Sequence, residues 1–143
     1  MVWVAAARLR TLPLSLAGIV VGNALAIGND AFCHYVFGGT LLTAVVFQIL
    51  SNFANDYGDG LKGTDNHERI GPKRVLQQNL LSVKTLFRGI VITAVIGFLL
   101  AAGTIAIAFE VGELKSVLAF LALAVVAILA AYKYTAGKGA YGY

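Results

Sequence analysis

The residues best suited to chemistry sit close together. Gln48, Asn52, Asn55 and Asp59 are spaced by four, three and four positions, so on a helix their side chains share one face. Asp56 flanks that stripe and Asp65 follows it. Arg69, Lys73 and Arg74 come shortly after, in a chain where only 13% of residues are charged. For Gln48 alone the spacing favours hydrogen bonding between helices. For Asn55, Asp56, Asp59 and Asp65 it favours a functional cluster. Carboxylates with basic neighbours suit a magnesium–diphosphate site. Magnesium takes oxygen ligands, keeps waters, and is usually held by one or two carboxylates plus substrate phosphates. Lys and Arg then take up the remaining phosphate charge. Gly58, Gly60, Gly63 and the Gly71–Pro72 pair mark the stretch after the stripe as a loop, where backbone N–H groups could approach phosphate.

What must carry this cluster is a membrane bundle. The 143 residues are 59% hydrophobic with a mean hydropathy of +0.80. That departs from a soluble domain and excludes a disordered chain. Positions 11–29, 31–55, 89–109 and 116–132 contain no Asp, Glu, Lys or Arg. Each run can form the ~20-residue apolar helix that crosses a bilayer core about 30 Å thick. The expected fold is therefore an all-α, polytopic transmembrane helical bundle with four spans, about 11–29, 36–56, 83–109 and 116–133. A long connection, 57–81, lies between the second and third. A loop of that length is usually functional.

Smaller signals refine this picture. Pro13 fits the first turn of the first span, and Ser82 is a suitable N-cap for the third. Gly18, Gly22 and Ala26 form a small-residue face that would let helices approach closely in lipid. The Ala24–Leu25–Ala26 stretch could instead be read as a signal-peptide cleavage site, but cleavage would remove a helix the bundle needs. The lone Cys33 rules out an intramolecular disulfide, and His34 and His67 form no zinc-type pattern with it. Of the eleven Lys and Arg residues, only Lys115 falls outside the N-terminal segment, the long connection with the start of the third helix, and the C-terminal tail. The positive-inside rule then places both termini and the long loop in the cytoplasm. The net charge of +4 reads as this topology signal, and no basic helix with stacking aromatics points to nucleic acid.

The stretch at 52–74, NFANDYGDGLKGTDNHERIGPKR, resembles the first Asp-rich motif of the UbiA superfamily of intramembrane prenyltransferases. Its N-x-x-x-D core is Asn55 to Asp59. The continuation into R-I-G-P-x-R is similar to the branch that prenylates 1,4-dihydroxy-2-naphthoate. RLRTLPLSLAGIVVG, from Arg8, is similar to that branch's opening. YTAGKGAYGY, from Tyr134, is similar to its segment after the fourth helix, with Tyr134 and Lys138 in the Y-x-x-x-K positions. Gly63 stands where the superfamily often has a further Asp, and Leu9 where a Pro is usual.

The resemblance implies a nine-helix fold of which this chain is the N-terminal half, without the second Asp-rich motif and inactive alone. It implies a bacterial inner-membrane enzyme of menaquinone synthesis that uses Mg2+. Its substrates would be polyprenyl diphosphate and 1,4-dihydroxy-2-naphthoate. Asn55 and Asp59 would be magnesium ligands, with Asp56 and Asp65 supporting them. Arg8, Lys73, Arg74 and Lys138 would contact diphosphate. Tyr134 would bind diphosphate or face the allylic cation, and Asn52 would orient substrate. The alternatives are another aromatic acceptor, such as 4-hydroxybenzoate, or a non-enzymatic transport bundle with an acidic mouth.

Overall fold

The structure is a computed structural model that describes residues 2–64, 71–109 and 112–142. Five helices are present among the described residues: α1 (Val2–Ala7), α2 (Leu12–Gly28), α3 (His34–Lys62), α4 (Val83–Ala108) and α5 (Leu114–Thr135). A short 3-10 turn, Leu9–Thr11, joins α1 to α2. No strand occurs among the described residues. Among the described residues, four helical stretches are long and apolar enough to cross a membrane, α1 and α2 together counting as one. The chain is a multi-pass membrane protein, as its charge-free runs require.

Helix α3 is the centre of the bundle; α1, α2, α4 and α5 all pack on it. The buried core does not sit at mid-span. Leu50, Phe53 and Ala54 of α3, Ala6 and Ala7 of α1, Leu86 and Ile90 of α4, and Val75 from the connection gather at one end, around the polar stripe. Elsewhere the helices turn large apolar side chains outward, Leu14, Leu25, Leu99 and Leu118 among them. In lipid such surfaces are already solvated, so packing and polar contacts decide how the helices associate.

Local signals explain most of the boundaries. Pro13 lies in the first turn of α2. The Ser82 hydroxyl accepts the Thr85 N–H at 3.1 Å and caps α4. Helix α3 ends at Gly63, whose φ of 71° lets its N–H return to the Asp59 carbonyl.

Three features differ from the expected pattern. The first span is preceded by α1, and the two are separated by a break at Arg8. The second span does not stop near 56 but runs to Lys62, so Tyr57, Gly58, Asp59 and Gly60 are helical. Gly58 is a packing residue there: a Cβ on it would lie 2.5 Å from the carbonyl carbon of Thr135 and 2.7 Å from that residue's Cβ. Tyr57 sits between the rings of Phe87 and Tyr132, at 5.5 and 6.4 Å. These contacts with α4 and α5 outweigh the weak helix propensity of glycine, about 1 kcal/mol per residue. Lastly, the small-residue face of α2 meets no described neighbour. A Cβ at Gly18 or Gly22 would have nothing within 4 Å, and α2 buries no residue. Close helix approach occurs instead at Gly58 and Gly97, the latter against Phe47.

Candidate functional site: an arginine-clasped aspartate beneath a basic cavity

The last turns of α3 carry Asn52, Asn55, Asp56 and Asp59. Asp56 is 1% exposed. Its Oδ1 receives the Arg8 guanidinium and, at 2.5 Å, Nη1 of Arg74. Nη2 of Arg74 also lies 3.7 Å from Oδ2 of Asp59. Two arginines from distant segments thus converge on one carboxylate, and the second reaches on toward the next acid of the helix. Removing one member of a buried ionic group leaves an uncompensated charge, at a cost of about 3–5 kcal/mol. The cluster therefore holds its cations in fixed places.

Each arginine is delivered by a specific piece of backbone. Arg8 occupies the break between α1 and the 3-10 turn, with φ 50° and ψ 58°. A residue with a side chain pays roughly 1–2 kcal/mol for this left-handed conformation. The neighbouring polar groups fit around it: Asn52 Nδ2 donates to the Ala7 carbonyl at 2.8 Å and to Thr11 Oγ1 at 3.0 Å. Arg74 is placed by a compact turn in the connection. There the N–H of Gln78 bonds the Arg74 carbonyl and that of Leu80 bonds the Val75 carbonyl, both at 3.0 Å. Val75, 2% exposed, anchors this turn in the core.

Above Asp56 lies a cavity of about 340 Å³. Arg8, Arg10, Lys73 and Arg74 line it together with Asp56, and Val4, Ala5, Leu9 and Val75 form apolar wall. Four cations against one acid give it a net positive charge. Low-dielectric walls focus such a field.

Asn55 and Asp59 lie one turn apart on α3. The Thr135 hydroxyl stands 3.1 Å from both Asn55 Oδ1 and the Ala54 carbonyl. An amide oxygen and a carboxylate are hard donors of the kind magnesium takes. Among the described residues no group of three His, Cys, Asp or Glu side chains could enclose a metal. By chemistry alone, the Asn55 amide oxygen and the Asp59 carboxylate suit a magnesium ion whose shell is completed by phosphate and water. Asp56 is committed to the arginines.

The other candidates fall in four groups. Lys73 lines the cavity. Asn52 is 3% exposed, with its amide hydrogens directed at Ala7 and Thr11 and its oxygen 3.3 Å from the Gln48 amide. Tyr134 and Lys138 are not brought to the cavity: the Tyr134 ring packs on Tyr141, and the Lys138 carbonyl accepts the Lys133 ammonium. Asp65 and Arg69 lie outside the described residues. Sequence reasoning missed Arg10, whose one signal was its place two residues after Arg8. It also missed Thr135, next to Tyr134, as the residue from α5 that touches Asn55.

No family model matches the chain, and no solved structure matches it. Four relatives carry the name 1,4-dihydroxy-2-naphthoate octaprenyltransferase. The one from Haemophilus influenzae is 44% identical over 143 residues, 99% of this chain and 46% of that protein. The one from Escherichia coli is 41% identical over 141 residues, 99% of this chain and 45% of the relative. The one from Mycobacterium tuberculosis is 33% identical, with the same coverage of both chains. Over 99% of its length the chain is homologous to 1,4-dihydroxy-2-naphthoate octaprenyltransferases, the UbiA-type branch its motifs resemble, and it spans about half the length of these relatives.

Proposed function

We propose that this chain supplies the diphosphate-binding part of a magnesium-dependent prenyltransferase of menaquinone biosynthesis. The enzyme transfers a polyprenyl group from polyprenyl diphosphate to 1,4-dihydroxy-2-naphthoate. It lies in the bacterial inner membrane, with the Asp56 end of the bundle toward the cytoplasm. The observation that carries this reading is the cavity in which Arg8, Arg10, Lys73 and Arg74 converge over a clasped Asp56.

Prenyl transfer needs such a place. The allylic C–O bond breaks, its electron pair leaves with the diphosphate, and negative charge grows on the departing oxygens. Prepositioned cations stabilise that charge without reorganising at the moment of reaction. Arg8 and Arg74 are already oriented by Asp56, and Lys73 and Arg10 add charge at the rim. Asn55 and Asp59 would hold magnesium, which supplies Lewis-acid neutralisation of the diphosphate. Thr135 orients the Asn55 amide for that purpose. A ring carbon of the naphthoate then forms the new C–C bond, and the carboxyl group leaves as carbon dioxide. The names of the relatives support this acceptor.

The test is Asp59→Ala in the full-length protein, assayed with polyprenyl diphosphate, dihydroxynaphthoate and saturating magnesium. Turnover falls by about a hundredfold or more, since changes even to groups behind a metal ligand cost 10–100-fold. Membrane insertion is retained. Wild-type turnover by this variant removes Asp59 from the site.

A further inference from the structure

We propose that Asn52 is a positioning residue that sets the direction of Arg8 by gripping the chain on both sides of it. The inference rests on the reading of the cavity as the diphosphate site.

Helix α1 ends at Ala7, and its last carbonyls have no partner within the helix. Asn52 donates one amide hydrogen to the Ala7 carbonyl, at 2.8 Å, and the other to Thr11 Oγ1, at 3.0 Å. The Thr11 hydroxyl in turn donates to the Arg8 carbonyl at 2.9 Å, as does the Thr11 N–H. One side chain of α3 is thereby tied to the residue before Arg8 and, through Thr11, to Arg8 itself. Gln48 donates to Asn52 Oδ1 at 3.3 Å and accepts the Ser15 hydroxyl, which extends the tie into α2. Asp56 lies one turn beyond Asn52 and takes the Arg8 guanidinium. A single face of α3 therefore holds Arg8 at two points, the backbone through Asn52 and the side chain through Asp56. Every polar atom of the Asn52 side chain is occupied, and the residue is 3% exposed and absent from the cavity wall. Its effect on substrate runs through Arg8.

The test is a double-mutant cycle in the full-length protein in nanodiscs. Asn52→Leu removes the donors while keeping the branch at Cγ, and Thr11→Val removes the hydroxyl link. Each lowers kcat/KM for polyprenyl diphosphate by about tenfold, the scale of one displaced charge-assisted contact, and the loss falls on kcat because the charge that Arg8 meets grows as the C–O bond breaks. Thr11→Ser keeps the hydroxyl and retains the wild-type kcat/KM. In an Arg8→Gln background the Asn52 and Thr11 substitutions add less than about twofold, because coupled residues do not act additively. Unchanged kcat/KM in either folded variant, or an equal penalty with and without Arg8, overturns the proposal. Should Asn52→Leu not assemble, Thr11→Val and Thr11→Ser carry the cycle. A wild-type protein that turns over no prenyl diphosphate defeats the functional reading instead. Positioning is then read from amide exchange at residues 8–12, which quickens in Thr11→Val; unaltered exchange overturns it.

Discussion

Gly58→Ala sets helix propensity against packing at the point where α3 crosses the end of α5. Within a helix, alanine is favoured over glycine by about 0.8–1.0 kcal/mol. Propensity alone therefore predicts a stabilised protein. The structure predicts the opposite. The new methyl would lie 2.5 Å from the Thr135 carbonyl carbon and 2.7 Å from its Cβ. Carbon atoms settle at about 3.5–4.0 Å, so the two backbones must part by about 1 Å. The obstruction is main chain, which cannot rotate away as a flexible side chain can. Overpacking of this kind costs typically 1–3 kcal/mol, and parting the helices also stretches the 3.1 Å contact between Thr135 and Asn55. Subtracting the propensity gain leaves a net loss of about 0–2 kcal/mol, to which the stretched Thr135–Asn55 contact adds. The full-length variant, unfolded thermally in detergent, should show a lowered midpoint and, with Asn55 as the proposed magnesium ligand, should need more magnesium for half-maximal turnover. Gly103→Ala in α4 is the control, because a Cβ there meets nothing within 4 Å. A midpoint for Gly58→Ala equal to or above wild type refutes the reasoning.

Two further outcomes are expected. Asp56→Asn keeps the shape of the side chain but leaves Arg8 and Arg74 without their shared carboxylate. Because their side chains are 18% and 11% exposed, the loss should be about 3 kcal/mol, near the lower end for a broken buried pair; unaltered stability in denaturant contradicts the clasp. Cys33, half-buried at the start of α3 and at the opposite end from Asp56, should react with an impermeant maleimide in intact spheroplasts; labelling only after the inner face is opened reverses the proposed orientation.

The four spans were legible because charge is so costly at membrane depth that its absence marks each helix. The face joining Gln48, Asn52, Asn55 and Asp59 was legible because a helix repeats every 3.6 residues. Helix α1 was not, since VWVAAA is six residues long and carries no capping signal. The break after it falls on an arginine in a conformation usually left to glycine. Gly58 and Gly60 were misread as loop, because composition does not separate a glycine that turns from one that lets a neighbour approach. The surroundings of Asn52 were hidden for a different reason: one of its partners is the carbonyl of Ala7, which any residue would have supplied.

Since every other helix rests on α3, that helix acts as a shared ruler. One half is set by Phe47 against Gly97, the other by Asn52, Asn55, Asp56 and Asp59 against the N-terminal break and α5. A single residue inserted between Gln48 and Asn52 would turn one half by about 100° against the other. The acids would then point away from both arginines while every span stayed apolar and long enough to cross the bilayer. Drift in chain length is thus barred from this one helix by angle alone, and a hydropathy profile would not register the damage.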